Sequence, residues 1–226
     1  MKIAVVTAIT GGKDNLIVPT KYEGVDNILF TDTMPRDNYM WDARLLPEFS
    51  MLTRPHRRNA KTPKILPFLL LPEYDYIVWR DGGYQVKCNP HILIKKYLND
   101  QDKDIAAFKH DNHKDIYEEA EVIKRIGFLE DANIIDEQVA AYRKEGLPEG
   151  YGLSCNAAMI WRNCPATLLL QLTWFEQVCR YSSRDQMSLF YSLWKTNTRD
   201  RFTYIDGHWE KNNEIKRVRS HANARM

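Results

Sequence analysis

The run from Tyr74 to Gly83, Tyr-Asp-Tyr-Ile-Val-Trp-Arg-Asp-Gly-Gly, ends an apolar, strand-like segment on a carboxylate followed by two glycines. Open α/β sheets keep their ligands at the carboxyl ends of strands. Asp81 therefore stands where an anion could hold a divalent cation against a phosphate, and Gly82 would let the backbone approach something bulky. The same residues also read as a strand closed by an ordinary Asp-Gly turn. One carboxylate makes a weak cation site, so a partner is needed. His208, in Ile205-Asp206-Gly207-His208-Trp209, is a candidate because imidazole suits Mn²⁺ better than Mg²⁺, with Asp206 the competing choice. Arg58, Lys61 and Lys64 recur every third residue and so share one face of a helical turn. That face could grip a diphosphate, with Arg as a planar fork and Lys as a point charge, or be a solvated basic face. Lys109-His110 follow a further strand toward the same edge, with Asp111 and His113 as loop polarity beyond them. Arg184-Asp185-Gln186 precede an amphipathic stretch. There Ser183 or Asp185 could cap a helix, or Asp185 could orient hydroxyls or act as a general base, with Gln186 adding a donor and an acceptor.

The elements that must position these residues follow from periodicity. Ile3 to Ile9 is a β-branched run closed by Gly11-Gly12, and Asn27 to Phe30 ends on Thr31-Asp32, as the first units of a parallel sheet would. Arg57 to Leu71 has a basic front and an apolar back, and Pro63 and Pro67 imply a kink or two short helical pieces. Tyr76 to Trp79 and Ile105 to Phe108 read as strands, with an amphipathic helix over Pro90 to Leu98 between them. Helices are expected over Asp115 to Gly127, Ile134 to Lys144, Thr167 to Cys179 and Asp185 to Leu193, and a strand over Leu153 to Trp161. The tryptophans are expected mainly in the core. The expected organisation is one domain over 1–210 followed by a basic tail over 211–226.

Composition sets the outer limits. The 226 residues, 44% hydrophobic, can bury one substantial core, and 32 Lys and Arg against 30 Asp and Glu give a net charge of +2 that names no polyanion partner. Cys88, Cys155, Cys164 and Cys179 form no CxxC pair, so neither a zinc ribbon nor a disulfide framework is signalled and reduced thiols are the simplest reading. The N-terminal apolar stretch is far shorter than the roughly 20 residues of a membrane span and lacks a usable cleavage region. No internal repeat or low-complexity segment is present.

Four segments read together resemble the TOD1/MUCI70 glycosyltransferase-like family. They are Arg58-Asn59-Ala60-Lys61-Thr62-Pro63-Lys64-Ile65-Leu66-Pro67, Tyr74 to Gly82, Lys109-His110 with Ile116-Tyr117-Glu118-Glu119-Ala120, and Ser182-Ser183-Arg184-Asp185-Gln186. The resemblance spans roughly residues 1–195 and implies an α/β, GT-A-like nucleotide-binding sandwich with a mostly parallel central sheet flanked by helices. It implies Asp81 and Gly82 as the diphosphate and metal anchor, and Arg58 and Lys61 as nucleotide-sugar contacts. Thr7, Ala8 and Asp32 would lie by the base and ribose. Arg184, Gln186, His110 and Asp185 would line the donor-sugar and acceptor side, with Asp185, His110 or Glu119 as catalytic groups and His208 completing an Mn²⁺ or Mg²⁺ site. Gly83 stands where the family of Asp-X-Asp enzymes has a second acid.

The activity so implied is transfer of a sugar from a nucleotide-sugar donor, UDP-linked for preference, to a hydroxyl acceptor such as a glycan, assisted by a divalent metal. Two other classes compete. A metal-dependent amide-lipid hydrolase is one, because a plant member of the family is associated with ceramidase activity; it would normally need three protein ligands around a metal-bound water, and no His-rich cluster is visible in the sequence. A catalytically silent nucleotide- or glycan-binding module is the other. Modified nucleic acid as acceptor is motivated by Lys216, Arg217, Arg219 and Arg225 alone. Plant relatives carry an N-terminal anchor whereas this chain starts on its first strand, so a cytoplasmic location is expected.

Overall fold

A computed structural model describes residues 1–12, 14–47, 55–126 and 132–218. The described residues form a central sheet of seven strands, in the order β3-β2-β1-β4-β7-β6-β8. The strands are β1 (Ile3–Ile9), β2 (Val25–Thr31), β3 (Asp42–Leu45), β4 (Tyr76–Arg80), β6 (Ile105–Lys109), β7 (Ser154–Arg162) and β8 (Phe202–Ile205). Pairing is parallel from β3 through β2 and β1 to β4, and between β6 and β8. β7 runs antiparallel to both its neighbours, β4 and β6. A second, two-stranded sheet pairs β5 (Tyr84–Val86) with β9 (Ile215–Arg217). The α/β class and the mostly parallel sheet thus match what the sequence implies.

Alternation along the buried strands sorts side chains onto two faces. Val6, Ala8, Ile77, Trp79, Met159 and Trp161 pack on one side, against α1 (Pro55–Ile65), α2 (Pro67–Leu70), α6 (Pro165–Arg180) and α7 (Gln186–Lys195). Val5, Val78, Ala106, Ala158 and Ile160 face the other side, against α3 (Pro90–Ile94) and the small sheet. Asp81 follows β4 with the parity of Ile77 and Trp79. The chain thereby aims its carboxylate at the α1 side, while Arg80 turns to the opposite face and lies 4.7 Å over the Trp41 ring. A third cluster joins α4 (Ile116–Arg125), α5 (Ala132–Glu145) and α7.

Several boundaries differ from the expected ones. The helical break falls at Pro67 alone, which opens α2 at its first turn, where a missing N–H costs nothing, while Pro63 stays within α1. The helix from Pro90 loosens into a π-helical turn, Lys95–Asn99. The basic tail expected from 211 is structured in its first part: Ile215 is fully buried and Lys216 and Arg217 pair with β5, because an edge strand at the carboxyl end of β4 offers unpaired backbone groups. Arg219 and Arg225 lie outside the described residues. No described helix is long and apolar enough to cross a membrane.

Candidate active site

A cavity of about 430 Å³ opens beyond the carboxyl end of β4, lined among others by Lys61, Lys64, Asp81, Gly83, Asn156, Arg184, Asp185 and Gln186. β4 delivers Asp81, whose N–H donates to the Ala157 carbonyl at 2.8 Å and whose Oδ1 accepts from Trp79 Nε1 at 2.9 Å. α1 delivers the two lysines on one face. The Asp185 carboxylate, at the start of α7, lies between them: Lys61 Nζ donates to Oδ1 and Lys64 Nζ sits 2.8 Å from Oδ2. Lys64 Nζ also reaches Asp81 Oδ1 at 3.3 Å, joining both carboxylates through one ammonium. Asn156 Nδ2 donates to Asp185 Oδ2 at 3.2 Å, and Ser154 holds Asn156 in turn.

Electrostatics fix the charge states of this network. Burial by itself would raise the Asp185 carboxyl, but Lys61 and Lys64 override it and hold it well below the usual carboxylate range. Burial likewise works against the Lys64 ammonium, which Asp185 and Asp81 nevertheless push above its ordinary value. For Lys61 burial wins over Asp185 and the shift is downward. With both oxygens committed to ammonium groups, Asp185 is placed as the counter-ion of two cations, a setting that works against the general-base role its residue type offers.

Arg184 lines the cavity from a second network. Its guanidinium donates to Glu119 Oε1 at 2.9 Å, and Glu119 Oε2 meets His113 Nδ1 and lies 3.7 Å from His110 Nε2. Among the described residues, His110, His113 and Glu119 bring potential metal-donor atoms within 4.8 Å of one another, a cluster the sequence does not reveal. The hydrogen bonds argue for a protein-only network. The His113 N–H donates to His110 Nδ1 at 3.2 Å, which leaves the proton of the neutral ring on Nε2, the atom facing Glu119. Burial lowers the His110 pKa, opposed by Glu119, and so works against the charged ring. Glu119 pairs with Arg184 through one oxygen and His113 through the other; neither it nor His110 lines the cavity.

The remaining residues expected at the site are placed differently from one another. Gln186 lines the main cavity. Asp32 lines a second cavity of about 210 Å³ at the ends of β1 and β2, with Asp14, and its Oδ2 accepts from the Gly11 N–H at 2.7 Å. Gly82 lies against Asp14 of that second cavity: a Cβ there would come 2.8 Å from Asp14 Oδ2, so the glycine permits that close approach. Arg58, Thr7, Ala8 and His208 are placed otherwise. Arg58 is 3% exposed and donates to the Val178 and Tyr181 carbonyls at 2.9 and 2.6 Å, capping the carboxyl end of α6 instead of contacting a nucleotide. Thr7 is fully buried and Ala8 nearly so, because β1 lies inside the sheet with neighbours on both edges. His208 pairs with Asp111 at 3.0 Å rather than with Asp81.

The donor set therefore does not fit a protein-held divalent cation at Asp81. Its Oδ1 already meets an ammonium and an indole N–H, Gly83 supplies no second acid, and Asp185 is committed to two lysines. Lys64 stands where its spacing from Lys61 and Arg58 puts a diphosphate-gripping face, whereas Asn156 carries no sequence signal and His113 reads in sequence only as loop polarity. The roles of Asn156 and His113 depend on contacts across the fold.

Several known proteins resemble this chain. The chain matches the family described as TOD1/MUCI70, glycosyltransferase-like domain, over residues 44–220. It is 31% identical over 146 residues to the "Probable hexosyltransferase MUCI70" of Arabidopsis thaliana, a match covering 58% of this chain and 24% of that protein's length. Among solved structures, the apo WbbM bifunctional glycosyltransferase aligns with a TM-score of 0.50 and 15% identity over 90% of this chain and 38% of that one. Apo mouse xyloside xylosyltransferase 1 aligns with a TM-score of 0.49 and 11% identity over 96% of each chain.

Proposed function

Because the chain belongs to the TOD1/MUCI70 glycosyltransferase-like family, we propose that it transfers a sugar from a UDP-linked donor to a hydroxyl of a glycan acceptor, in the GT-A manner. The observation that carries this reading is the cavity beyond β4, where Lys61, Lys64 and Arg184 converge on the position a diphosphate would take, each held by a buried carboxylate. The nucleoside would sit in the cavity at the ends of β1 and β2, where Asp32 and Asp14 offer acceptors to ribose hydroxyls. The designation of the Arabidopsis relative makes a hexose the sugar of choice.

The chemistry requires that the bond from the anomeric carbon to the phosphate oxygen break with its electron pair left on the diphosphate. The acceptor oxygen bonds to that carbon and gives up its proton. Preorganised cations at the leaving group stabilise the charge that develops there. Gln186, with one donor and one acceptor on the cavity wall, is suited to orient a sugar hydroxyl.

Thermal unfolding with a panel of nucleoside diphosphates and nucleotide-sugars tests this reading. A ligand at about 100 times its Kd adds roughly 2.7 kcal/mol to the folded state. The expected result is stabilisation by uridine nucleotides, weakened in Lys61→Ala. A folded protein indifferent to every nucleotide would remove the reading and favour the binding-module or hydrolase alternatives. For the hydrolase, metal analysis of the purified protein would have to find stoichiometric zinc at His110, His113 and Glu119.

A further inference from the structure

We propose that the donor's diphosphate is bound without a divalent cation, with the ammonium groups of Lys61 and Lys64 and the Arg184 guanidinium taking the place that a metal ion would fill. The inference rests on the nucleotide-sugar reading above and goes beyond it by assigning the source of the positive charge.

The arrangement of the anions is the first reason. A cation site needs carboxylates turned toward a common point with lone pairs to give. Here the two carboxylates of the cavity are turned toward ammonium groups: Asp185 toward both lysines, and Asp81 toward Lys64 at 3.3 Å. His208 is engaged with Asp111 at 3.0 Å, so it does not supply the missing ligand.

The second reason is how firmly the cations are held. Lys64 is 1% exposed and bridges two carboxylates, which fixes its nitrogen in place. The Lys61 side chain is 21% exposed, and its ammonium carries three donors, of which the contact with Asp185 uses one. The others can turn to phosphate oxygens in the cavity. Arg184 is fixed through Glu119, which His113 holds from the other side, and Arg offers phosphate a planar fork. Buried carboxylates that serve as counter-ions let three cations face one cavity without a metal to assemble them. In the transfer step the electron pair of the breaking bond stays on the diphosphate oxygen, and the lysine N–H groups donate to the charge that forms there.

Isothermal titration of the full chain with UDP, GDP, ADP and CDP, in EDTA and in Mn²⁺ or Mg²⁺, decides the matter. The inference expects one diphosphate to bind in EDTA with an affinity that added metal leaves unchanged. It also expects Lys61→Ala to weaken that binding roughly 10- to 100-fold, as loss of a hydrogen bond between charged groups should, and Lys61→Arg to retain most of it. Binding that appears only with metal would overturn the inference while leaving the nucleotide reading in place. Metal-free binding unaffected by Lys61→Ala would overturn the role of the lysines. No binding of any diphosphate under either condition would overturn the nucleotide reading itself.

Discussion

The Asp185 carboxylate is the point at which stability and site geometry meet, and Asp185→Asn is the perturbation that exposes it. The side chain is nearly fully buried and compensates two ammonium groups, one of them on Lys64, itself 1% exposed. Breaking a buried pair by removing one partner costs about 3–5 kcal/mol, because the remaining charge is left in a poorly solvating interior. At roughly 2–4 °C per kcal/mol for a chain of this size, the melting temperature should fall by roughly 6–20 °C. The pH dependence has a definite sign. The lysines, working against burial, hold the folded carboxyl below its ordinary value. Its contribution is therefore fully present above the unfolded pKa of about 3.9, and is lost as pH falls from there through the lower folded value. Urea unfolding followed by circular dichroism should show a wild-type-to-variant gap that is constant from pH 6 to 8 and narrows in acid. Adding Lys64→Met to Asp185→Asn replaces the stranded ammonium with an apolar side chain, and should recover more than half of the loss. A loss below about 1 kcal/mol for Asp185→Asn, or no recovery in the double variant, would refute the counter-ion role.

Two further substitutions separate structural residues from those at the cavity. Arg58→Met removes both hydrogen bonds to the α6 carboxyl end; it should destabilise by about 2–5 kcal/mol yet leave nucleotide affinity of the folded protein unchanged, as measured by titration calorimetry. Thr7→Val removes a buried hydroxyl that has no hydrogen-bond partner among the described residues; unfolding should show it neutral or stabilising by about 1 kcal/mol, with nucleotide binding again intact.

Much of the fold can be read from the chain because strand faces and helix stripes are local patterns. Ile77 and Trp79 against Val78 already assign the parity of Asp81, and the spacing of Lys61 and Lys64 already places both on one face. What local patterns cannot supply is the partner. Lys61 and Asp185 are separated by 124 positions, and their ion pair exists only because α1 and α7 pack on the same side of the sheet. Arg58 shows the converse. Its position one helical turn before Lys61 made it look like part of the same cationic face, but the last carbonyls of α6 need donors, and the guanidinium turned inward to meet them.

The direction of β7 explains the other gap. Parallel sheets bind ligands at the carboxyl ends of their strands. β7 runs antiparallel between β4 and β6, pairing Arg80 with Ala158, so its amino-terminal residues arrive at the same edge where β4 ends. Ser154 and Asn156 stand there at the beginning of a strand, and together they brace the Asp185 Oδ2 that Lys64 also meets. A reversed strand in an otherwise parallel half-sheet thus contributes its first residues to the site. In such sheets the search for ligand residues must include the starts of antiparallel strands as well as the ends of parallel ones.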